Sequence, residues 1–208
     1  MYFSREGAAR AFVPAMLVLL FILSLLPLMH VGNTLAWDTD LLRYIHLSRN
    51  VSQDGFFRIL TDSAALVTIG IPLVFLLAGL LLKKKSIWQQ GLGFAAIFLT
   101  AMSLSTAFKY LLNKPRPFVT YDFIEKATSG NMPSFPSGHT TDVFVTALAL
   151  SLVYRKWYVI LPAFTWALLV AYSRLSLGVH YPSDVLAGIA LGSFTAVIGC
   201  RVWAAAVK

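Results

Sequence analysis

The chain has 208 residues, of which 58% are hydrophobic and 12% charged, where an average globular chain carries about 25% charged residues. That balance excludes a soluble domain, and the net charge of +8 comes with no basic stripe interleaved with aromatics, so nucleic acid is not an expected partner. The single cysteine, Cys200, excludes an internal disulfide and a cysteine metal cluster.

Taken in order, the chain opens on a short basic stretch with Arg5 and Arg10, followed by an apolar run, Ala11–Val31. That run is too long for the core of a typical signal peptide and is read as a first membrane span. Gly32–Asp62 alternates apolar residues (Leu41, Leu42, Tyr44, Ile45, Leu47, then Phe56, Phe57, Ile59, Leu60) with charges. It predicts short amphipathic helices lying at the interface. Ser63–Leu82 and Ile87–Leu112 are the next two spans, joined by the lysine run Lys83–Lys85, which is expected to anchor topology. Asn113–Ser137 holds Pro115, Pro117, Gly130, Pro133 and Pro136 and predicts an irregular loop. Gly138–Tyr154, Trp157–Arg174 and Ser183–Trp203 complete six spans, each of the length that a hydrocarbon core of about 30 Å requires. The expected fold is all-α: one polytopic domain over 1–208, six transmembrane helices, with interfacial helices between the first and second. No internal repeat is visible.

The charges orient this layout. With a cytoplasmic N-terminus, Arg5, Arg10, Lys83, Lys84, Lys85, Arg155, Lys156, Arg201 and Lys208 lie inside, against Glu6 alone. Lysine and arginine in short loops mark the cytoplasmic side, so both termini are expected there.

The same topology brings polar residues from distant segments to the opposite membrane face. Lys109 ends the third span and Arg116 follows it; Ser137, Gly138 and His139 open the fourth; Ser173 and Arg174 close the fifth; His180 and Asp184 flank the entry to the sixth. Ionisable groups at membrane depth are costly unless they pair or bind something. Arg116 and Arg174 carry planar donor forks suited to phosphate oxygens, and Lys109 adds a point charge. Ser137-Gly138 opens a helix, whose N-terminal N–H groups favour an anion. With no carboxylate cluster suited to magnesium and no cysteine–histidine set suited to zinc, no metal or cofactor is expected, and a side chain must serve as nucleophile. Histidine can do so. Asp184, four residues after His180, can reach it across one helical turn, and His139 is available as an acid.

These residues resemble the blocks of the type 2 phosphatidic acid phosphatase (PAP2) family, relatives of bacterial class A acid phosphatases and vanadium haloperoxidases. Lysine, six residues and Arg-Pro are Lys109 to Arg116-Pro117; Pro-Ser-Gly-His is Pro136-Ser137-Gly138-His139; Ser-Arg, five residues, His, three residues, Asp is Ser173-Arg174, His180, Asp184. All eleven fixed positions are present in order. The resemblance implies a phosphohistidine on His180, Asp184 as its orienting partner, and His139 as the acid for the leaving group. It further implies phosphate binding by Lys109, Arg116, Ser137, Gly138 and Arg174, no metal, and a lipid phosphate or pyrophosphate drawn from the bilayer at the extracytoplasmic face of a bacterial inner membrane. Undecaprenyl pyrophosphate, phosphatidylglycerol phosphate, phosphatidic acid and a lipid A phosphate are the substrates in view. Vanadate is expected to inhibit.

Other residues have blander expectations. His30 and His46 lie outside every block and read as ordinary interfacial residues, and Lys114 reads as a solvated loop lysine. Asp142, three residues after His139, either modulates that histidine or packs the bundle. An anion or lipid transporter using the same cationic cluster is the alternative function, although transport needs neither a nucleophile–orienter pair nor a separate acid.

Overall fold

The computed structural model describes residues 36–207, so the first expected span, Ala11–Val31, and His30 lie outside the described residues. The helix α1 (Ala36–Leu47) and one 3-10 turn (Val51–Gln53) lead into α2 (Asp54–Leu81), and α3 (Lys85–Leu112) runs back. The loop that follows holds the one-turn helix α4 (Pro117–Thr120), and α5 (Gly138–Tyr154), α6 (Trp157–Ser176) and α7 (Pro182–Ala206) finish the chain. The described residues are all-helical, without strands.

Four helical segments, Val51–Leu81, Lys85–Thr120, Trp157–Ser176 and Pro182–Ala206, are long and apolar enough to cross a membrane. Their outward faces are apolar: on α2, Leu66 is 75% exposed, and Val74 and Leu80 further along the helix are exposed as well. A contiguous apolar exterior of this kind suits hydrocarbon and not water. α5 has 17 residues and packs against α7, α6, α3 and α2, so it forms the axis of the bundle. Two apolar clusters meet on it, one with Phe94, Ile97 and Cys200, the other with Ala64, Ala167 and Val170.

Small residues let α7 approach that axis. A Cβ on Gly188 would stand 2.7 Å from the Ser137 carbonyl oxygen, and one on Gly192 would stand 2.5 Å from that of Thr141. Glycines four apart on a membrane helix permit such backbone-to-backbone contact. The consequence is positional, since the N-terminus of α5, with His139, is pressed against the N-terminus of α7, with Asp184.

The structure departs from the sequence reading in the segment before the second span. α1 is the expected separate helix, but Phe56, Phe57, Ile59 and Leu60 belong to α2, which starts at Asp54 and not near Ser63. Nothing between 56 and 63 breaks a helix, and Asp54 in the first turn suits the positive end of the helix dipole. The polar residues that interrupt the apolar pattern find partners: Arg49 Nε lies 3.3 Å from Asp54 Oδ1, and Arg58 Nε donates to the Ala127 carbonyl. The extra turns carry Thr61 to the site described next.

Candidate active site

Every site-bearing helix end faces the same way: the start of α2, the end of α3, the start of α5, the end of α6 and the start of α7. Between them lies a cavity of about 420 Å³ whose wall includes Lys109, Arg116, Gly138, His139, Arg174 and His180, with Asp142 one turn deeper than His139. Ser105, Thr106 and Met102 of α3 and residues 129–132 of the long loop complete it.

His180 sits in the turn between α6 and α7, 1% exposed. Its Nδ1 lies 3.4 Å from Asp184 Oδ2 and 3.4 Å from Ser134 Oγ, while Arg116 Nη1 stands 3.4 Å from Nε2. With the Nδ1 proton held toward the carboxylate, the Nε2 lone pair is directed to the cationic side. Burial, reinforced by Arg116 and Arg174, pushes the imidazole pKa well below its ordinary value against the pull of Asp184. The ring is therefore neutral and able to attack at physiological pH.

Asp184 is fully buried and saturated with donors. Oδ2 accepts from Ser134 Oγ and from the Tyr181 N–H at 3.0 Å, and Oδ1 accepts from Lys114 Nζ at 2.9 Å. The Tyr181 bond ties the third residue of α7 back to the N–H that precedes the helix, so one carboxylate both caps the helix start and faces the histidine. Several donors around one buried carboxylate replace the water it has lost.

The cations divide their donors between the loop and the cavity. Arg116 Nε donates to Met132 O at 2.7 Å and Nη1 to Val179 O at 2.9 Å. Arg174 is 1% exposed; its Nη1 donates to Thr61 Oγ1 at 2.6 Å, and its buried Nε has no protein acceptor among the described residues. An unpaired buried donor costs about 1–3 kcal/mol, and here it belongs to a cavity-wall residue. Lys109 differs from expectation: its three donors reach the carbonyls of Pro133, Ser134 and Pro136 at 2.9, 3.4 and 2.6 Å. It holds the loop in place while lending its charge to the wall.

Ser137 is also unlike its expected role. Its side chain is fully buried outside the cavity lining and accepts from Thr140 Oγ1 at 2.9 Å, while its N–H donates to Asp184 O at 3.0 Å. The free donors at the start of α5 are thus those of Gly138 and His139, whose N–H groups have no preceding turn to bond. Asp142 shares the wall with His139, and no hydrogen bond joins the two among the described residues.

Two expectations are corrected. Lys114 is 9% exposed rather than solvated, because Asp184 and Asp38 converge on it from opposite ends of the chain. His46 is not the ordinary residue expected but is 1% exposed and doubly bonded: Nδ1 lies 2.8 Å from Ser176 O, and Nε2 accepts the Glu125 N–H at 3.0 Å. It pins α1 to the end of α6 and to the loop. Ser134, Thr61 and Asp38 had no visible signal in the sequence, since nothing in their own neighbourhoods announces the partners they meet.

The family model of the PAP2 superfamily matches residues 90–208. The chain is 30% identical over 192 residues to an undecaprenyl-diphosphatase of Sulfolobus acidocaldarius, covering 89% of each chain. It is 30% identical to a lipid A 4'-phosphatase of Porphyromonas gingivalis over 67% of its own length and 61% of that protein's. The crystal structure of a transmembrane PAP2-type phosphatidylglycerolphosphate phosphatase from Bacillus subtilis superposes with a TM-score of 0.75 at 24% identity, over 93% of this chain and 97% of that one. At that identity the likeness speaks for the fold.

Proposed function

This chain belongs to the PAP2 superfamily and is a multi-pass membrane lipid phosphatase, and on that premise we propose that it works through a phosphohistidine on His180. The observation that carries the reading is the cavity wall itself: an imidazole whose Nδ1 faces a carboxylate and whose Nε2 faces the cations, a second histidine, and Lys109, Arg116 and Arg174 around one space. Six spans, cytoplasmic termini and an extracytoplasmic site follow from the basic cytoplasmic turns and complete the proposal.

In the first step, His180 Nε2 attacks the phosphorus, the bond from phosphorus to the leaving oxygen breaks, and His139 supplies that oxygen with a proton. In the second, a water attacks the phosphohistidine and gives its proton to His139. Inorganic phosphate leaves and His180 Nε2 regains its lone pair. Arg116, Arg174 and the N–H groups of Gly138 and His139 hold the equatorial oxygens, where charge spreads during transfer. Lys109 contributes its charge and the shape of the loop, and Ser137 fixes the start of α5. Asp142 is assigned as a modulator of His139 through the shared wall. The substrate is a lipid phosphate or pyrophosphate whose head group enters from the bilayer.

The test is phosphate release by the detergent-purified protein in EDTA, using undecaprenyl pyrophosphate, phosphatidylglycerol phosphate, phosphatidic acid and lipid A. Release that persists in EDTA and is blocked by vanadate is expected, and the relative rates name the substrate. Loss of release in EDTA that returns with added metal would sink the metal-free mechanism.

Gly138 provides a sharper check on the cradle. A Cβ there would meet only Lys109 Cε at 3.7 Å, an ordinary contact, so packing does not require glycine. Gly138→Ala is expected to keep its thermal midpoint and lose about 100-fold in kcat/KM, as the methyl displaces a phosphate oxygen. An alanine variant as active as the parent would place the phosphate elsewhere.

A further inference from the structure

Behind His180 the structure holds a line of buried charges that does not touch the cavity. Asp184 Oδ1 accepts from Lys114 Nζ at 2.9 Å, and Lys114 Nζ lies 3.5 Å from Asp38 Oδ2. Ser183 bridges the far end: its hydroxyl lies 3.1 Å from Lys114 Nζ and donates to Asp38 Oδ2 at 2.6 Å, and its N–H donates to Asp38 Oδ1 at 2.7 Å. The Tyr181 ring covers the ammonium at 4.1 Å. Asp38 is 2% exposed, and α1 contributes it from outside the membrane-spanning helices. Neither Asp38 nor Lys114 lines the cavity.

We propose that Asp38 and Lys114 are positioning residues for the reaction, extending the His180–Asp184 pair into a relay of four and making α1 part of the active site. This rests on His180 being the nucleophile. The charge arithmetic gives the relay its purpose. With Asp184 and Lys114 alone, carboxylate and ammonium cancel, and His180 would feel little net field from behind. Asp38 adds a second negative charge, so the line as a whole carries one, set against the positive charge that the imidazole acquires on phosphorylation. Lys114 meanwhile lets two carboxylates be buried close together, which an unshielded pair would not tolerate. Asp38 also accepts an N–H in the first turn of α7, where a carboxylate is favoured by the helix dipole, so it fixes the turn on which His180 and Asp184 are mounted.

The experiment compares kcat, KM and the pH–rate profile of the full-length protein with those of Asp38→Asn. The other charges facing His180 are Asp184 on α7, Arg116 on the loop and Arg174 on α6, and all remain. Removing a negative charge lowers the basicity of the imidazole, so the acid limb of kcat/KM, which reports its protonation, is expected to move to lower pH. kcat is expected to fall about tenfold, below the ~10²–10⁴ attributed to groups that transfer protons directly, with KM and inhibition by inorganic phosphate unchanged. Asp40→Asn removes the same charge from the exposed side of α1 and is expected to move nothing. If Asp38→Asn does not fold, Asp38→Ser, which keeps an acceptor for the Ser183 N–H, takes its place. A neutral Asp38 variant whose acid limb and kcat match the parent would overturn the relay. A uniform fall in kcat with an unmoved limb would reduce Asp38 to a structural clamp and overturn it equally. Inactivity of His180→Ala in the same assay keeps the nucleophile assignment separate from either outcome.

Discussion

His180→Ala is expected to fold normally and release no detectable phosphate from any lipid, a loss on the order of 10⁶-fold, as seen when a covalent nucleophile is removed. The fold should survive because each side-chain contact of His180 is long, at 3.4 Å to Asp184, Ser134 and Arg116. The N-terminal turn of α7 does not depend on the imidazole, since its capping bonds run between Tyr181 and Asp184. In the proposed mechanism the chemistry has no substitute, because His139, on the opposite helix start, serves there as proton donor and not as nucleophile. A rapid quench of the parent with ³²P-labelled substrate should trap a phosphoprotein that is labile in acid and stable in alkali, as a phosphorus–nitrogen bond is. The label should be absent from His180→Ala. Turnover in the variant at a measurable fraction of the parent's rate would mean that water attacks directly and that His180 only binds.

Asp184→Asn is expected to be the next most damaging change, costing about 10³–10⁴-fold in kcat, as loss of the orienting carboxylate does in the serine hydrolase triad. The geometry explains why the amide is a poor replacement. One carboxylate oxygen faces Ser134 Oγ, the Tyr181 N–H and His180 Nδ1, and the other faces the Lys114 ammonium. Whichever way the substituted amide turned, its NH₂ would meet donors. Lys114 would also be left with Asp38 as its one anionic partner among the described residues, and breaking a buried pair costs about 3–5 kcal/mol. The variant should therefore lose both kcat and thermal midpoint, whereas His180→Ala loses chiefly kcat. Comparing the two by activity and by thermal unfolding in detergent separates the histidine's chemical role from the carboxylate's double one. A fully active Asp184→Asn would show that His180 takes its tautomer from Ser134 instead.

Much of this candidate site's geometry was legible in the chain because its key pairs are local. His180 and Asp184 are four residues apart at a helix start, and Ser137, Gly138 and His139 are consecutive, so spacing alone places them. The bundle was legible for the same reason, each helix advertising itself by an apolar run. What escaped were partners whose meaning depends on distant segments. Lys114 looks like a loop lysine until Ser183, 69 residues later, is beside it, and Thr61 looks like a helix-surface threonine until Arg174 arrives from 113 residues away. Ser134 lies 50 residues from the carboxylate it serves. The early start of α2 escaped because Asp54, Arg58 and Asp62 break the apolar pattern without breaking the helix; for Asp54 and Arg58, tertiary partners satisfy what sequence alone marks as an interruption.

Asp38 and Ser183 are 145 residues apart, which has a consequence for biosynthesis. At ~5–20 residues per second, α1 leaves the ribosome about 7–30 s before the start of α7. During that interval the carboxylate of Asp38 has water for company, and Lys114 arrives before its second anion. Only when α7 enters the bilayer do His180, Asp184 and the proposed relay behind them come together. Under the proposed mechanism, catalytic competence therefore waits for α7. A ribosome that stalls before α7 leaves a membrane-integrated but inert precursor, never a partly assembled phosphatase.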